Sequence, residues 1–350
     1  MADFITGMDE ESKLIRELSI NSLRSVLKQL RSASRPELAR LTGLDDSMID
    51  EYITELCLEG EFIEDGLLGS EETGEQELFY RFNGEHKLVL AVCVLEKDRV
   101  LTAVSDLYGE YLERQEIEAH PETMSFFEEL VEQYKMKYPA ISLLAFGMAG
   151  FEIRNSGKLL SMNFPDLEWV PFRDHFMERY GLPSILENDV KAAVAGFYET
   201  RDYGEGKCVA AINVPKTHYP SAGICMDGKI YGGRDNAAGE VAFLDTEVKW
   251  HHFSQSDIDI SKVHTSRLLT QIALPMIVFL NPDCLVLYGS ALPDNTAEEL
   301  RKGLLENMPR EFLPEIVFIK DILNDFLDGL VHLALKVLEP KIYLGGEPAD

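Results

Sequence analysis

Asn188 and Asp189 stand side by side where a short strand-like run, Ser184–Leu186, gives way to a helical one, Val190–Thr200. Read alone, the pair is a helix cap, because an Asn or Asp side chain at such a junction accepts from the first unpaired backbone amides. A carboxylate and an amide together can also grip adjacent hydroxyls, since they accept and donate hydrogen bonds in pairs. A second set of residues points to different chemistry. Arg24, Lys28, Arg31, Arg35 and Arg40 fall on two consecutive helical segments, where they could neutralise phosphates or form the solvated face of an amphipathic pair. Directly after them, from Leu41 to Tyr80, come thirteen Asp and Glu residues and not one Lys or Arg. A carboxylate can accept from a cytosine amino group. Thirteen of them without a counter-charge repel a phosphate backbone.

The elements that must carry these residues follow from hydrophobic spacing. Ile20, Leu23, Val26, Leu27 and Leu30 share one helical face over 19–31. Ser34 can cap a short second helix with Pro36 in its first turn, and Thr42-Gly43-Leu44 is a tight turn. Asp45 or Asp46 then caps a third helix bearing Ile49, Tyr52, Ile53 and Leu56, which stops at Gly60. Phe62-Ile63 and Leu78–Phe82 read as the two strands of a wing, so residues 1–85 form a winged helix-turn-helix by shape. From Lys87 onward, three strand-like runs open a meander, and helices then mix with strands to Leu338. That pattern predicts an α/β architecture of two lobes.

Composition narrows the partners. The 350 residues leave room for two or three domains, and the net charge of −28 favours solubility while repelling nucleic acid and anionic membranes. The five cysteines are odd in number and scattered, with no C-x-x-C, so neither a disulfide framework nor a zinc knuckle is expected. The N-terminus lacks the apolar core of a signal peptide, and the most apolar run, Leu268–Leu280, is interrupted by Gln271 and Pro275 and too short to span a bilayer. A soluble, cytoplasmic chain with no membrane partner is expected.

The order of segments from about Ser19 to Leu338 resembles the ROK family of sugar-responsive repressors and sugar kinases. The resemblance is carried by Ser34–Leu44 (SRPELARLTGL), Ser105–Gly109 (SDLYG), Leu182–Ala193 (LPSILENDVKAA), Asp227–Glu240 (DGKIYGGRDNAAGE) and Asn281–Gly289 (NPDCLVLYG). It implies an α/β fold in which the N-terminal winged helix-turn-helix precedes a two-lobed, actin-like ATPase (ribonuclease H-like) domain. The small lobe would be 86–196 plus 326–345, and the large lobe 197–325. It also implies a sugar in the cleft. Asp189 matches the family's general base toward a sugar hydroxyl, Asn188 stands beside it, Glu240 matches a sugar-contacting Glu, and Asn163 matches an upstream Asn.

Several family features are replaced. Where the family motif ends in a His that contacts sugar and binds zinc, this chain has Phe243. The glycine-bearing phosphate hairpin falls on Val94, Glu96 and Asp98, and the second phosphate loop on Thr217–Ser221, with no glycine before Gly223. Acidic and bulky residues there oppose a triphosphate, which needs close backbone approach. The family's zinc loop is replaced by Leu244–His264, which has no Cys, and His251 and His252 adjoin each other rather than forming a tetrahedral set. No metal and no cofactor are therefore expected.

The expected function is a sugar-responsive transcription regulator lacking kinase activity, a homodimer or higher homo-oligomer with a small sugar or polyol as effector. Arg24, Lys28, Arg31, Arg35, Arg40 and, on the third helix, Ser47 are the candidate DNA contacts, although the acidic stretch opposes DNA electrostatically. The alternative is a diverged sugar-binding sensor or scaffold whose acidic winged helix binds protein. A sugar kinase is the third reading, disfavoured by both replaced phosphate loops.

Overall fold

The computed structural model describes residues 10–69, 76–96, 99–153, 156, 158–161, 164–215, 219–247 and 265–338. Asn163, the wing tip Thr73–Glu75, Asp98, Thr217, His218, His251 and His252 lie outside the described residues. The chain divides into two compact units. One comprises Met1–Leu88, Asp106–Glu110 and Val337–Asp350; the other comprises Val89–Ser105 and Tyr111–Lys336.

In the first unit, α1 (Glu10–Leu30) is followed by β1 (Ala33–Ser34), α2 (Arg35–Thr42), α3 (Asp46–Leu58), β2 (Phe62–Gly69) and β3 (Gln76–Phe82). The first helix begins well before the 19–31 span set by apolar spacing. Its early turns are tied to α3 by an ion pair of Arg16 with Glu55 and by the Arg16 guanidinium lying over the Tyr52 ring. Ser34 precedes α2 in extended conformation, though its side chain makes no capping bond, and Pro36 sits in the first turn. Asp45 does cap α3, accepting from the Met48 amide at 2.9 Å. The three strands form one sheet in the order β1-β3-β2, with Ala33 of β1 opposite Tyr80 of β3, a pairing too short to show in the sequence. Leu23, Leu27, Leu38, Ile49, Ile53, Leu56, Phe62 and Phe82 close the core. Burial of each such side chain contributes about 1.5–3 kcal/mol. The arrangement is a winged helix-turn-helix.

The second unit opens with β4 (Leu88–Glu96), β5 (Arg99–Ser105), β6 (Tyr111–Glu118), α4 (Met124–Lys137) and β7 (Ile141–Met148). There follow β8 (Phe151–Glu152), β9 (Leu159–Leu160), α5 (Phe172–Tyr180), β10 (Ser184–Asn188) and α6 (Asp189–Thr200). The remainder is β11 (Cys208–Asn213), β12 (Ser221–Met226), β13 (Lys229–Ile230), α7 (Thr265–Leu280), β14 (Cys284–Tyr288), α8 (Thr296–Leu305), β15 (Glu315–Ile319) and α9 (Leu323–Leu338).

Two five-stranded sheets result, ordered β10-β7-β4-β5-β6 and β13-β12-β11-β14-β15. Read from the meander edge, both sheets run third, second, first, fourth, fifth strand. The chain thus builds the same motif twice, which is the actin-like, ribonuclease H-like fold. Parallel additions β7–β10 and β11–β14–β15 need helical crossovers, and α4, α5, α7 and α8 supply them. The β8–β9 hairpin and β15 are absent from the spacing-based reading. The first has only two residues per strand, and the second is a five-residue run without period-2 alternation.

A helix that carries ligand-facing residues must be fixed from behind. Residues Val190–Tyr198 of α6 are all buried. At its far end Arg201 reaches Asp325 of α9 at 3.0 Å, and Asp325 also accepts from the buried Tyr288 hydroxyl of β14 at 2.8 Å.

Candidate functional site

The site is built at the end of β10, where its last residue, Asn188, becomes the cap of α6. The Asn188 Oδ1 accepts from the Val190 and Lys191 amides, each at 3.1 Å, and its Nδ2 donates to the Gly150 carbonyl at 2.8 Å. The amide thus caps α6 through its oxygen and pins the segment after β7 through one of its two N–H groups. Asp189, the first residue of α6, is left at the cavity wall.

Glu240 arrives there from a different element. Gly239 has φ +95° and lies against β12, where its carbonyl accepts from the Ala222 amide at 2.8 Å; a Cβ at this position would collide with the Ala222 carbonyl. Gly223 plays the matching part on the other side of β12, since a Cβ there would meet the Val190 carbonyl of α6. Two close backbone approaches therefore bring Glu240 and Asp189 to one cavity.

That cavity is about 300 Å³. Its polar lining comes from Ser161, Asn188, Asp189, Ser221 and Glu240, and its apolar lining includes Leu160, Pro215, Tyr219, Pro220, Ala242 and Phe243. Phe243 is 73 % exposed, so it forms the rim of the cavity rather than part of a core. Of the four sugar candidates, Asn188, Asp189 and Glu240 meet here, while Asn163 lies outside the described residues.

Burial shapes the electrostatics. It raises the Glu240 carboxyl above its ordinary value, with Lys191 opposing the rise and Asp189 adding to it. Glu187, next to Asn188, is raised by burial too, against a hydrogen bond from the Asn188 amide and the charge of Lys191. Burial pushes Lys191 itself down from the usual lysine range. Sequence reasoning passed over Lys191 and Glu187. The available signal was a lone Lys in a run of small apolar residues, Val190 to Gly196, on a helix with no polar face to carry it.

The two segments expected to lack phosphate chemistry have other duties. Val94 is buried in β4, and Glu96 pairs in register with Arg99 across the hairpin. Tyr219, Pro220 and Ser221 form part of the cavity wall. Among the described residues, no group of His, Cys, Asp and Glu could hold a metal ion, and no helix is long and apolar enough to cross a membrane.

In the first unit, each candidate DNA contact already has an acid or an aromatic ring as neighbour. Arg24 clasps Glu61 with both guanidinium arms, one at 2.7 Å. The Lys28 ammonium lies 5.0 Å from the centre of the Phe82 ring. Arg31 stacks at 3.8 Å over Tyr108 and pairs with Glu110 at 3.2 Å. Arg35 pairs with Asp50 at 2.7 Å and Arg40 with Glu37 at 3.8 Å, while the Ser47 hydroxyl donates to Asp45 at 2.9 Å. The exposed positions of α3, namely Asp46, Ser47, Asp50, Glu51, Thr54 and Leu58, include no cation.

Known proteins resemble this arrangement at low identity. A xylose repressor from Caldicellulosiruptor bescii is 26 % identical over 220 residues, covering 59 % of this chain and 53 % of the repressor. An N-acetyl-D-glucosamine kinase from Vibrio parahaemolyticus is 24 % identical over 157 residues, covering 43 % of this chain and 51 % of the kinase. This chain thus spans about half the length of these relatives. Among solved structures, a ROK family transcriptional regulator described as a homolog of the E. coli MLC protein superposes with a TM-score of 0.62 at 15 % identity. That match covers 92 % of this chain and 99 % of the regulator, and it supports the fold. Residues 97–249 match the model of the ROK family, so this part of the chain is similar to ROK-family domains.

Proposed function

We propose that this protein is a ROK-type transcription regulator that binds a neutral sugar or polyol in the Asp189–Glu240 cavity and does not transfer phosphate. The observation that carries the reading is the convergence of Asp189, with Asn188 beside it, and Glu240 from separate elements on one cavity of about 300 Å³. Such a cavity sits at the lower end of the range for small-molecule sites. Asp189 and Glu240 line it and no cationic side chain does. Neutral polyols suit it, and phosphorylated or acidic sugars are repelled. The relatives named as xylose repressors and the regulator fold are consistent with this role. In the replaced phosphate positions no glycine offers backbone amides to a nucleotide, which favours a sensor over a kinase. The protein would act in the cytoplasm as a homodimer or higher homo-oligomer, with sugar occupancy altering how the winged-helix unit engages its target.

Isothermal titration with common neutral hexoses, pentoses and their phosphates tests the reading. At least one neutral sugar is expected to bind, its phosphate at least about tenfold more weakly. No binding by any neutral sugar, or ADP release in a coupled assay with hexose and ATP, overturns it.

A second reading concerns the target. Because each candidate cation is already engaged by an acid or a ring, the winged-helix unit has little charge left for phosphates. A protein partner with a basic surface is the alternative to DNA. Mobility shift against the upstream region of the gene discriminates: salt-sensitive, sequence-specific binding favours DNA, and its absence at low salt favours protein.

A further inference from the structure

Lys191 is the one lysine buried among the described residues, at 1 % exposure. It lies on α6 two residues after Asp189, and its ammonium donates to both the backbone carbonyl and the side-chain Oδ1 of Asn236, the latter at 3.0 Å. Asn236 is itself locked: its φ is +60°, its Nδ2 donates to the Glu152 carbonyl at 3.1 Å, and Gly232 leaves the room its side chain occupies. The turn closes with the Ala238 amide donating to the Gly232 carbonyl at 2.9 Å, and two residues later the chain reaches Glu240.

The charged groups around this ammonium come from several elements. Glu187 approaches from β10 and Glu240 from the segment after β13, while Asp189, on the same helix, borders Glu240. Glu152 of β8 acts on Glu187 from further out, and Arg173 of α5 holds the Glu152 carboxylate at 2.5 Å. An ammonium is costly to bury, and a Met of similar length would fill the same space without that cost. Its place here, hydrogen-bonded to Asn236 and near Glu187 and the cavity-lining Glu240, is therefore an electrostatic and positional one.

We propose that Lys191 is a positioning residue that clamps the Asn236–Glu240 turn to α6 and supplies the counter-charge that lets Glu240 face a ligand as a carboxylate beside Asp189. The proposal rests on the sugar-site reading for its ligand, but the counter-charge can be measured without one.

The test uses the full chain as wild type and as Lys191→Met. In the ligand-free protein, carbon-13 NMR of the Glu side-chain carboxyls follows the titration of Glu240. Its midpoint is expected to rise by about one pH unit or more in the variant; an unmoved midpoint overturns the counter-charge. Calorimetric titration of a bound neutral sugar at several pH values is the second arm. The variant is expected to bind about tenfold more weakly at pH 7 and to weaken further as pH falls, while wild type stays nearly flat. Equal weakening at every pH indicates a merely structural defect and overturns the proposal. Should wild type bind no sugar, the proposed function fails, and the NMR arm still decides on Lys191. Should Lys191→Met not fold, Asn236→Gly retains the charge and the positive-φ turn and removes the side-chain half of the clamp. It is expected to weaken sugar binding about fivefold with an unchanged pH profile, or, without a sugar, to broaden the Glu240 resonance. No change in either overturns the clamp.

Discussion

The sugar cavity and the winged helix are both rich in carboxylates, and they treat them in opposite ways. Around the cavity, Glu187, Asp189 and Glu240 gather near a single buried ammonium, and burial raises both Glu187 and Glu240. In the winged-helix unit the acids outnumber the arginines, and each of these arginines meets an acid: Arg16 Glu55, Arg24 the buried Glu61, and, nearer the surface, Arg35 Asp50 and Arg81 Asp65. Solvent screens the outer pairs, Asp50–Arg35 and Asp65–Arg81, where each contributes about 0–1 kcal/mol. Low local dielectric magnifies the cavity arrangement. Charge in the cavity is therefore expected to govern ligand binding, whereas the outer charges of the winged helix can be rewritten with little effect on folding.

The sharpest way to break this contrast is Asp189→Ala. A hydrogen bond from a ligand hydroxyl to a carboxylate contributes about 1.5–3 kcal/mol, so sugar affinity is expected to fall about 100-fold by calorimetry. Stability changes much less, because what folding loses is one acid in the first turn of α6, worth about 0.3–1 kcal/mol. Wild-type affinity in the variant would mean that the cavity is not the sugar site.

Glu240→Gln sharpens the same contrast through pH. Burial raises the folded-state value of Glu240 above its unfolded one, so between the two values the folded protein holds a proton that the unfolded chain has released. Stability from this group is full below the unfolded value and is lost as pH rises through the folded one. Replacing the carboxylate by an amide removes that loss. The variant is expected to be about 0.5–1 kcal/mol more stable than wild type at pH 7, by denaturant titration, with the gain vanishing near pH 4. Its sugar affinity should fall about tenfold. A variant that is less stable at pH 7 would show that Glu240 is a structural rather than a ligand-facing acid.

Much of this was legible before any coordinates. The stripe from Ile20 to Leu27 and the Asp45 cap follow from local spacing and local capping, which sequence displays directly, whereas Leu30, expected on the same face, is 42 % exposed. Asn188, Asp189 and Glu240 were named as site residues through family resemblance, and the cap role of Asn188 from its position at a strand–helix junction. Lys191 was not legible, because its meaning depends on Asn236, which lies 45 residues further along the chain. The pairing of Arg24 with Glu61 and Arg35 with Asp50 was hidden for the same reason: charge counts along a sequence do not say which acid meets which base. The doubled strand order also emerges only when pairing is known, since the β8–β9 hairpin interrupts the first copy and β15 lacks a clear alternation.

The smallest expected effect lies on the winged helix, and it is the most direct check on the exposed half of the contrast. Asp50 and Arg35 pair at 2.7 Å with both side chains largely in solvent. Asp50→Asn removes the acid and leaves Arg35 over the Tyr80 ring, where the guanidinium retains a partner. Stability should therefore change by no more than about 0.5 kcal/mol. The released cation adds roughly one phosphate contact, so non-specific DNA affinity should rise about threefold at low salt. The slope of log affinity against log salt should steepen by about 0.9. A stability loss above about 2 kcal/mol would mean that this ion pair is part of the fold, and that the acidic stretch from Leu41 to Tyr80 is structural as well as electrostatic. An unchanged salt slope would mean that Arg35 faces away from any bound duplex, which moves the target of this unit from DNA toward protein.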